Sequence, residues 1–220
     1  MDDRSFELHS GAGQEMNGIR DGVVVKKIVA ITGSVLLVLL TGCSQINSAA
    51  TIGKTEVPIS TIQTSVTNVL TERSKVDTTG MQLKLGTDLN LSEVRFHVIS
   101  VLFDHIATAL KIPITDAQIA TTRAAIITKV GSEADLPKAL VGAGIASSDF
   151  PRYLRTALIA QELEKVAAAA GDTSTDGSAI QKLLAAQANK EKVIINPKYG
   201  TWDYTNGNVV PAPANSAVSK

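Results

Sequence analysis

The chain has 220 residues, of which 44% are hydrophobic and 19% charged, enough apolar content for a packed core and too much for a disordered tail. Lys plus Arg and Asp plus Glu each total 21 and aromatics make up only 4%, so neither a net positive field nor a base-stacking platform is available. Nucleic acid is therefore not an expected partner. The one cysteine excludes an internal disulfide framework and any multi-cysteine metal site.

Lys26 and Lys27 precede an uncharged run from Ile28 to Leu40, which ends in Leu40-Thr41-Gly42-Cys43. About 13 apolar residues are too few for a retained membrane-spanning helix, which needs roughly 20, but they suit a cleaved signal peptide over residues 23–42. Leu40, Thr41 and Gly42 are read as the signal peptidase recognition residues. Cys43, directly after them, is the expected lipid attachment residue, since its thiol can take a thioether-linked diacylglycerol. These four residues resemble the lipobox of bacterial lipoproteins. Acyl chains, at about 0.8 kcal/mol per buried methylene, would hold the mature chain on the extracytoplasmic face of the cell membrane. Residues 1–22, acidic ahead of the basic flank, are read as a misplaced-start or disordered extension.

Residues 43–49 read as a lipidated tether, with order beginning near Ala50. Residues 50–57 read as two short strands about a Gly-containing turn, closed by Pro58. Ser60 and Gln63 have capping-box spacing, which predicts a helix from there to about Lys75. Residues 76–89 read as a loop. Asn90 and Glu93 repeat the capping-box spacing, and Val94, Val98, Val101, Leu102, Ile106, Ala109 and Leu110 then form one apolar stripe, stopped by Pro113.

Thr115 and Gln118 predict a third helix, Ser132 precedes a fourth that ends near Gly144, and Ser147 or Ser148 opens a long fifth helix that frays at 167–170. Residues 171–177 read as a flexible connection, followed by a short helix around Ile180 to Leu184. Val193-Ile194-Ile195 is β-branched and predicts a strand that pairs with the N-terminal hairpin. Trp202, the only tryptophan, is expected to staple this region to the core. The tail over 206–220 is expected to be disordered.

The motifs that could carry chemistry do not hold together. Residues 141–146 hold the paired glycines of a G-x-G-x-x-A fingerprint, but Ser147 stands at its last position and the preceding segment is helical rather than a strand, so Gly144 reads as a helix terminus. Gly53-Lys54-Thr55 lacks the upstream glycine of a phosphate loop. His97 and His105, eight residues apart on one helix, would be separated by about 12 Å along the axis and cannot share a metal, so both read as core-edge or partly exposed. Glu162 and Glu164 diverge on their helix. No catalytic residue, cofactor, nucleotide or metal is expected from these patterns, and the chain is not expected to be an enzyme.

The order of elements resembles SurA/PrsA-type chaperones, the extracytoplasmic chaperone-like lipoproteins of actinobacterial type. Residues 50–60 look like their opening strand and turn. Residues 110–119 resemble the phrase in which a helix ends in a short extended turn and restarts at a Thr-Asp cap. Residues 144–150 with Leu154-Arg155 resemble a later helix, and residues 196–203 the closing motif.

The resemblance covers roughly 50–205. It implies a mainly α, SurA N-terminal-like domain with a small antiparallel sheet formed by the N-terminal hairpin and a C-terminal strand. Where the family often carries a parvulin domain of about a hundred residues, this chain has only 171–192, so no prolyl isomerase activity is implied. The function implied is that of a membrane-anchored, ATP-independent holdase whose partners are unfolded or nascent secreted and envelope polypeptides. Client-binding residues share the periodicity of core positions and are not assigned. The alternative is an envelope scaffold or adaptor lipoprotein that binds one folded partner.

Overall fold

A computed structural model of the protein describes residues 47–172 and 177–213, all within the compact unit Leu39–Lys220. The extension 1–22, the signal segment, Leu40, Thr41, Gly42, Cys43 and residues 214–220 lie outside the described residues. The fold is mainly helical. Strands β1 (Ser48–Ile52) and β2 (Thr55–Pro58) form a hairpin and are followed by helices α1 (Ile59–Arg73), α2 (Gly86–Ala109), α3 (Asp116–Val130), α4 (Leu136–Ala143), α5 (Phe150–Ala169) and α6 (Ser178–Glu191). Strands β3 (Ile194–Ile195), β4 (Thr201–Asp203) and β5 (Asn208–Val210) complete the chain.

The sheet closes the chain on itself. β1 is central, with β2 and β3 antiparallel on either side in the order β2-β1-β3, and Ala50 is opposite Ile195. The expected pairing of the C-terminal strand with the N-terminal hairpin is thus present. It is secured beyond the ladder by Asn196, whose backbone N–H donates to the Ala49 carbonyl at 2.9 Å and whose side-chain amide donates to that of Ser48 at 3.2 Å. Strand β1 begins at Ser48, so the expected tether 43–49 overlaps it by two residues: Ser48 and Ala49 are buried in the central strand.

Helix α2 is the core element. Its 24 residues bury Leu89, Val94, Val98, Leu102, Phe103, Ile106 and Ala107 against α1, α5, α6 and both sheets. It begins at Gly86, four residues before the expected Asn90 cap. Asn90 is inside the first turns, where its side chain donates back to the Gly86 carbonyl at 3.1 Å, and Glu93 is buried mid-helix. The Ser60–Gln63 capping box does not form either, because Pro58, with φ fixed in the extended region, already occupies the N-cap position of α1. The Thr115–Gln118 box is complete, with reciprocal side-chain and backbone bonds. Gly144 ends α4 with φ +72°, the left-handed helix terminus expected of it in place of a dinucleotide loop.

At the C-terminal end, α6 runs 14 residues, longer than the short helix expected, and structure continues past 205. Strands β4 and β5 pair Trp202 with Val209, both buried in the main core. The Arg95 guanidinium of α2 donates twice to the Val209 carbonyl, at 3.1 and 2.7 Å. Trp202 therefore staples a second hairpin that its local sequence did not announce.

Gly200 enters β4 with φ +139°, and a Cβ there would stand 2.5 Å from the Val210 carbonyl oxygen. A backbone oxygen of a paired strand cannot move aside without breaking the ladder. Gly200→Ala is expected to lower the unfolding free energy by more than about 2 kcal/mol in urea titrations followed by Trp202 fluorescence. A loss under about 0.5 kcal/mol, the range of inert surface changes, would contradict the close approach of β5.

Candidate functional site

One face of α1 builds the site. Ser65, Asn68 and Glu72 recur at three and four residues and so project from the same side of the helix. Each holds one residue of the α4–α5 turn. The Glu72 carboxylate accepts from the backbone N–H of Ser147 at 3.0 Å and from its hydroxyl at 3.0 Å. The Asn68 amide donates to the Ser148 hydroxyl at 3.0 Å, and the Ser65 hydroxyl donates to Asp149 Oδ2 at 2.7 Å. Asp149 is the N-cap residue of α5 but makes no side-chain cap bond. Its carboxylate is turned inward instead, toward α2.

On α2, Glu93 and His97 are four residues apart and share a face. Glu93 is 3% exposed and His97 4%. The Ser65 oxygen is also 2.9 Å from His97 Nε2. Since the one hydroxyl proton goes to Asp149, Nε2 must carry the ring proton and donate to Ser65, which leaves the lone pair on Nδ1. Donor atoms of Glu93, His97 and Asp149 lie within 4.8 Å of one another.

This grouping corrects the reading of both residues on α2. Glu93 is no capping partner of Asn90, and His97, expected at the core edge or partly exposed, is buried within a polar cluster. His105 is elsewhere, with Nδ1 2.7 Å from Glu191 and Nε2 3.2 Å from Thr55. Glu162, of the diverging pair, is paired with Lys165 at 2.7 Å.

The electrostatics follow from burial. Desolvation, reinforced by the Asp149 charge and opposed by Lys84 and Arg73, pushes the Glu93 carboxyl up to about 7. Desolvation holds the His97 imidazole below its ordinary range, with Asp149 acting against the shift and Arg152 with it. Arg73, nearly buried at the end of α1, donates from Nη1 to the Lys84 carbonyl at 2.7 Å, while its Nε has no partner among the described residues. Burial lowers the Arg73 guanidinium, and the Glu93 charge opposes this.

Over the cluster lies a cleft of about 220 Å³, lined by Glu93 and Phe96 of α2, Ile145 and Ala146 of the turn, and Asp149 and Tyr153 of α5. Apart from Ser92 its walls are apolar, its floor carries the two carboxyl groups, and Tyr153 at the rim is 40% exposed. A smaller recess of about 50 Å³, which includes Arg73 and Lys84, adjoins it and shares Ser92, Ala143 and Gly144.

Ser65, His97 and Asp149 do not compose a hydrolytic triad. In a triad the acid bonds the ring nitrogen opposite the one that faces the serine, whereas here the imidazole and the carboxylate both bond the same hydroxyl. Ser65 is itself buried, beyond reach of a substrate in the cleft. The arrangement can hold a cation or exchange a proton at Glu93 near neutral pH, and it can receive an apolar side chain against Phe96, Ile145 and Tyr153.

Sequence reasoning passed over Glu93 because it had a local explanation as a capping-box member, and over Asp149 because Ser147 or Ser148, ahead of it, reads as the start of the fifth helix. The available signal was the Glu-x-x-x-His spacing over 93–97 within an otherwise apolar stripe. Comparison of the chain with protein-family models, with curated proteins and with solved structures returns no match.

The raised carboxyl makes a prediction of definite sign. Between the ordinary carboxyl value of 4.5 and about 7, the folded protein binds more protons at Glu93 than the unfolded chain, so this residue lowers stability as pH rises through that window. His97, depressed when folded, acts oppositely below 6.5. The Glu93→Gln variant, compared with wild type by urea unfolding at pH 5 and pH 8 in EDTA-containing buffer, isolates the first effect. Its stability relative to wild type is expected to rise by on the order of 1–3 kcal/mol from pH 5 to pH 8; parallel curves would mean that Glu93 titrates normally.

Proposed function

We propose that the protein is a membrane-anchored extracytoplasmic lipoprotein that holds unfolded secreted or envelope polypeptides without ATP and without prolyl isomerase activity. The observation that carries this reading is the cleft between α2 and the α4–α5 turn, with apolar walls and a partly exposed aromatic at its rim. At about 220 Å³ it is smaller than the roughly 300–1,000 Å³ of sites for drug-sized ligands. A single apolar side chain of an extended client fits such a volume better than a cofactor does.

The chain beyond α5 supports the absence of an isomerase. Residues 170–177 join α5 directly to α6, and α6 returns the chain to the β1–β2 turn, where the Gly53 N–H donates to the Glu191 carbonyl at 2.8 Å. The Leu40-Thr41-Gly42-Cys43 sequence supports the anchor, which would concentrate the cleft at the membrane face where clients emerge. Binding an unfolded client lowers the free concentration available to aggregate.

Light scattering from a chemically unfolded client tests this, using a chain that starts at Ser44 and so retains every described residue. Suppression is expected to track dose without ATP across unrelated clients. Tyr153→Ser, which removes about 1.5 kcal/mol of apolar contact, is expected to require roughly tenfold more protein for the same suppression while leaving thermal stability unchanged. No suppression with any client would transfer the cleft to an adaptor that binds one folded partner.

A further inference from the structure

We propose that Glu93, His97 and Asp149 bind one divalent first-row transition metal ion at the floor of the cleft. The inference does not rest on the client-binding reading. The donor set is one imidazole nitrogen and two carboxylate oxygens, three protein ligands of the kind that hold zinc with a further position open. Hard cations such as magnesium and calcium prefer six or more oxygen ligands, so the imidazole selects against them. Donors on one tetrahedral ion with bonds near 2.0–2.1 Å stand about 3.4 Å apart. One ring nitrogen of His97 and one oxygen of each carboxylate lie within 4.8 Å of one another, so side-chain adjustments of the order of an ångström, with the imidazole presenting its unprotonated nitrogen, bring them together.

A second observation points independently to a ligand. Glu93 is 97% removed from solvent, yet among the described residues its carboxyl accepts no hydrogen bond and closes no ion pair. Buried carboxyl groups are ordinarily paired or bound to a metal. This one lines the cleft together with Asp149, and the two carboxylates repel each other across it. A divalent ion neutralises both.

The surroundings are those of a metal site as well. His97 donates Nε2–H to Ser65, and Ser65 donates to Asp149, so one hydroxyl orients two of the three ligands, the role that outer-shell partners play for ligating histidines and carboxylates.

The test uses the full chain in mild detergent, stripped with EDTA and dialysed. Titration with zinc chloride by calorimetry is expected to show one ion per chain with proton release. Cobalt(II) in its place is expected to give visible bands of a four- or five-coordinate nitrogen–oxygen site without thiolate charge transfer, which separates this site from Cys43. His97→Gln should weaken zinc by more than the ~10–100-fold that loss of an outer-shell partner costs, and Ser65→Ala by about that amount. Glu93→Gln keeps the side-chain shape and removes a buried charge, so it should remain folded by circular dichroism and lose zinc. Absence of zinc uptake by the wild type, uptake unchanged in both the Glu93→Gln and His97→Gln variants, or a thiolate-type cobalt spectrum would each overturn the assignment.

Discussion

Helix α2 is enclosed over much of its circumference, and every polar group on that enclosed surface has to be satisfied from within the protein. The cost of failing is about 1–3 kcal/mol for a buried polar group and more for a charge. Ser100 meets Thr156 at 3.0 Å, and His97 meets Ser65. Arg95, at the border, takes the Val209 carbonyl. Glu93 alone among the buried polar residues of α2 has its acid group facing a cleft, and its raised carboxyl is the electrostatic record of that position. The rest of the architecture follows from the need to wrap one long apolar helix with short elements.

Those short elements are held by side-chain bonds at long sequence separation. The α4–α5 turn is positioned by three rungs from one face of α1, and without them nothing local would aim Asp149 away from its own helix N-terminus, where a carboxylate ordinarily rests. At the other end of α2, His105 bridges Thr55 of β2 and Glu191 of α6, tying the hairpin to the last helix. The sheet and the cleft are thus at different parts of the same helix, with the half-buried His105 at the first and the buried His97 at the second.

The cleft combines two properties that usually occur apart. Its walls offer apolar surface, and its floor holds acid groups whose charge is costly while they are unneutralised. An occupant that presents only hydrocarbon would cover the carboxylates without satisfying them. A cation beneath the apolar walls would remove that conflict, so client contact and metal binding are physically compatible at one place while depending on different atoms.

Sequence by itself determined the helical character, the N-terminal hairpin, the Thr115–Gln118 cap, the Gly144 terminus and the return of the β-branched strand at 194–195 to β1. Each of these is set by neighbours within a few residues or by an apolar period that has one reading. Tertiary structure alone decided the start of α2, the second hairpin and the polar cluster. The Asn90–Glu93 spacing satisfies the capping rule as well as a true cap does, and only the packing of Leu89 beneath Val69 and Ala146 carries the helix back to Gly86 and sends Glu93 inward. Strands β4 and β5 are three residues each, too short for periodicity to register, and they exist because Trp202 and Val209 find the main core. Ser65, Glu93, His97 and Asp149 come from three elements separated by up to 84 residues, and no local spacing encodes their meeting. What brings them together is the one face of α1 that grips the α4–α5 turn against α2.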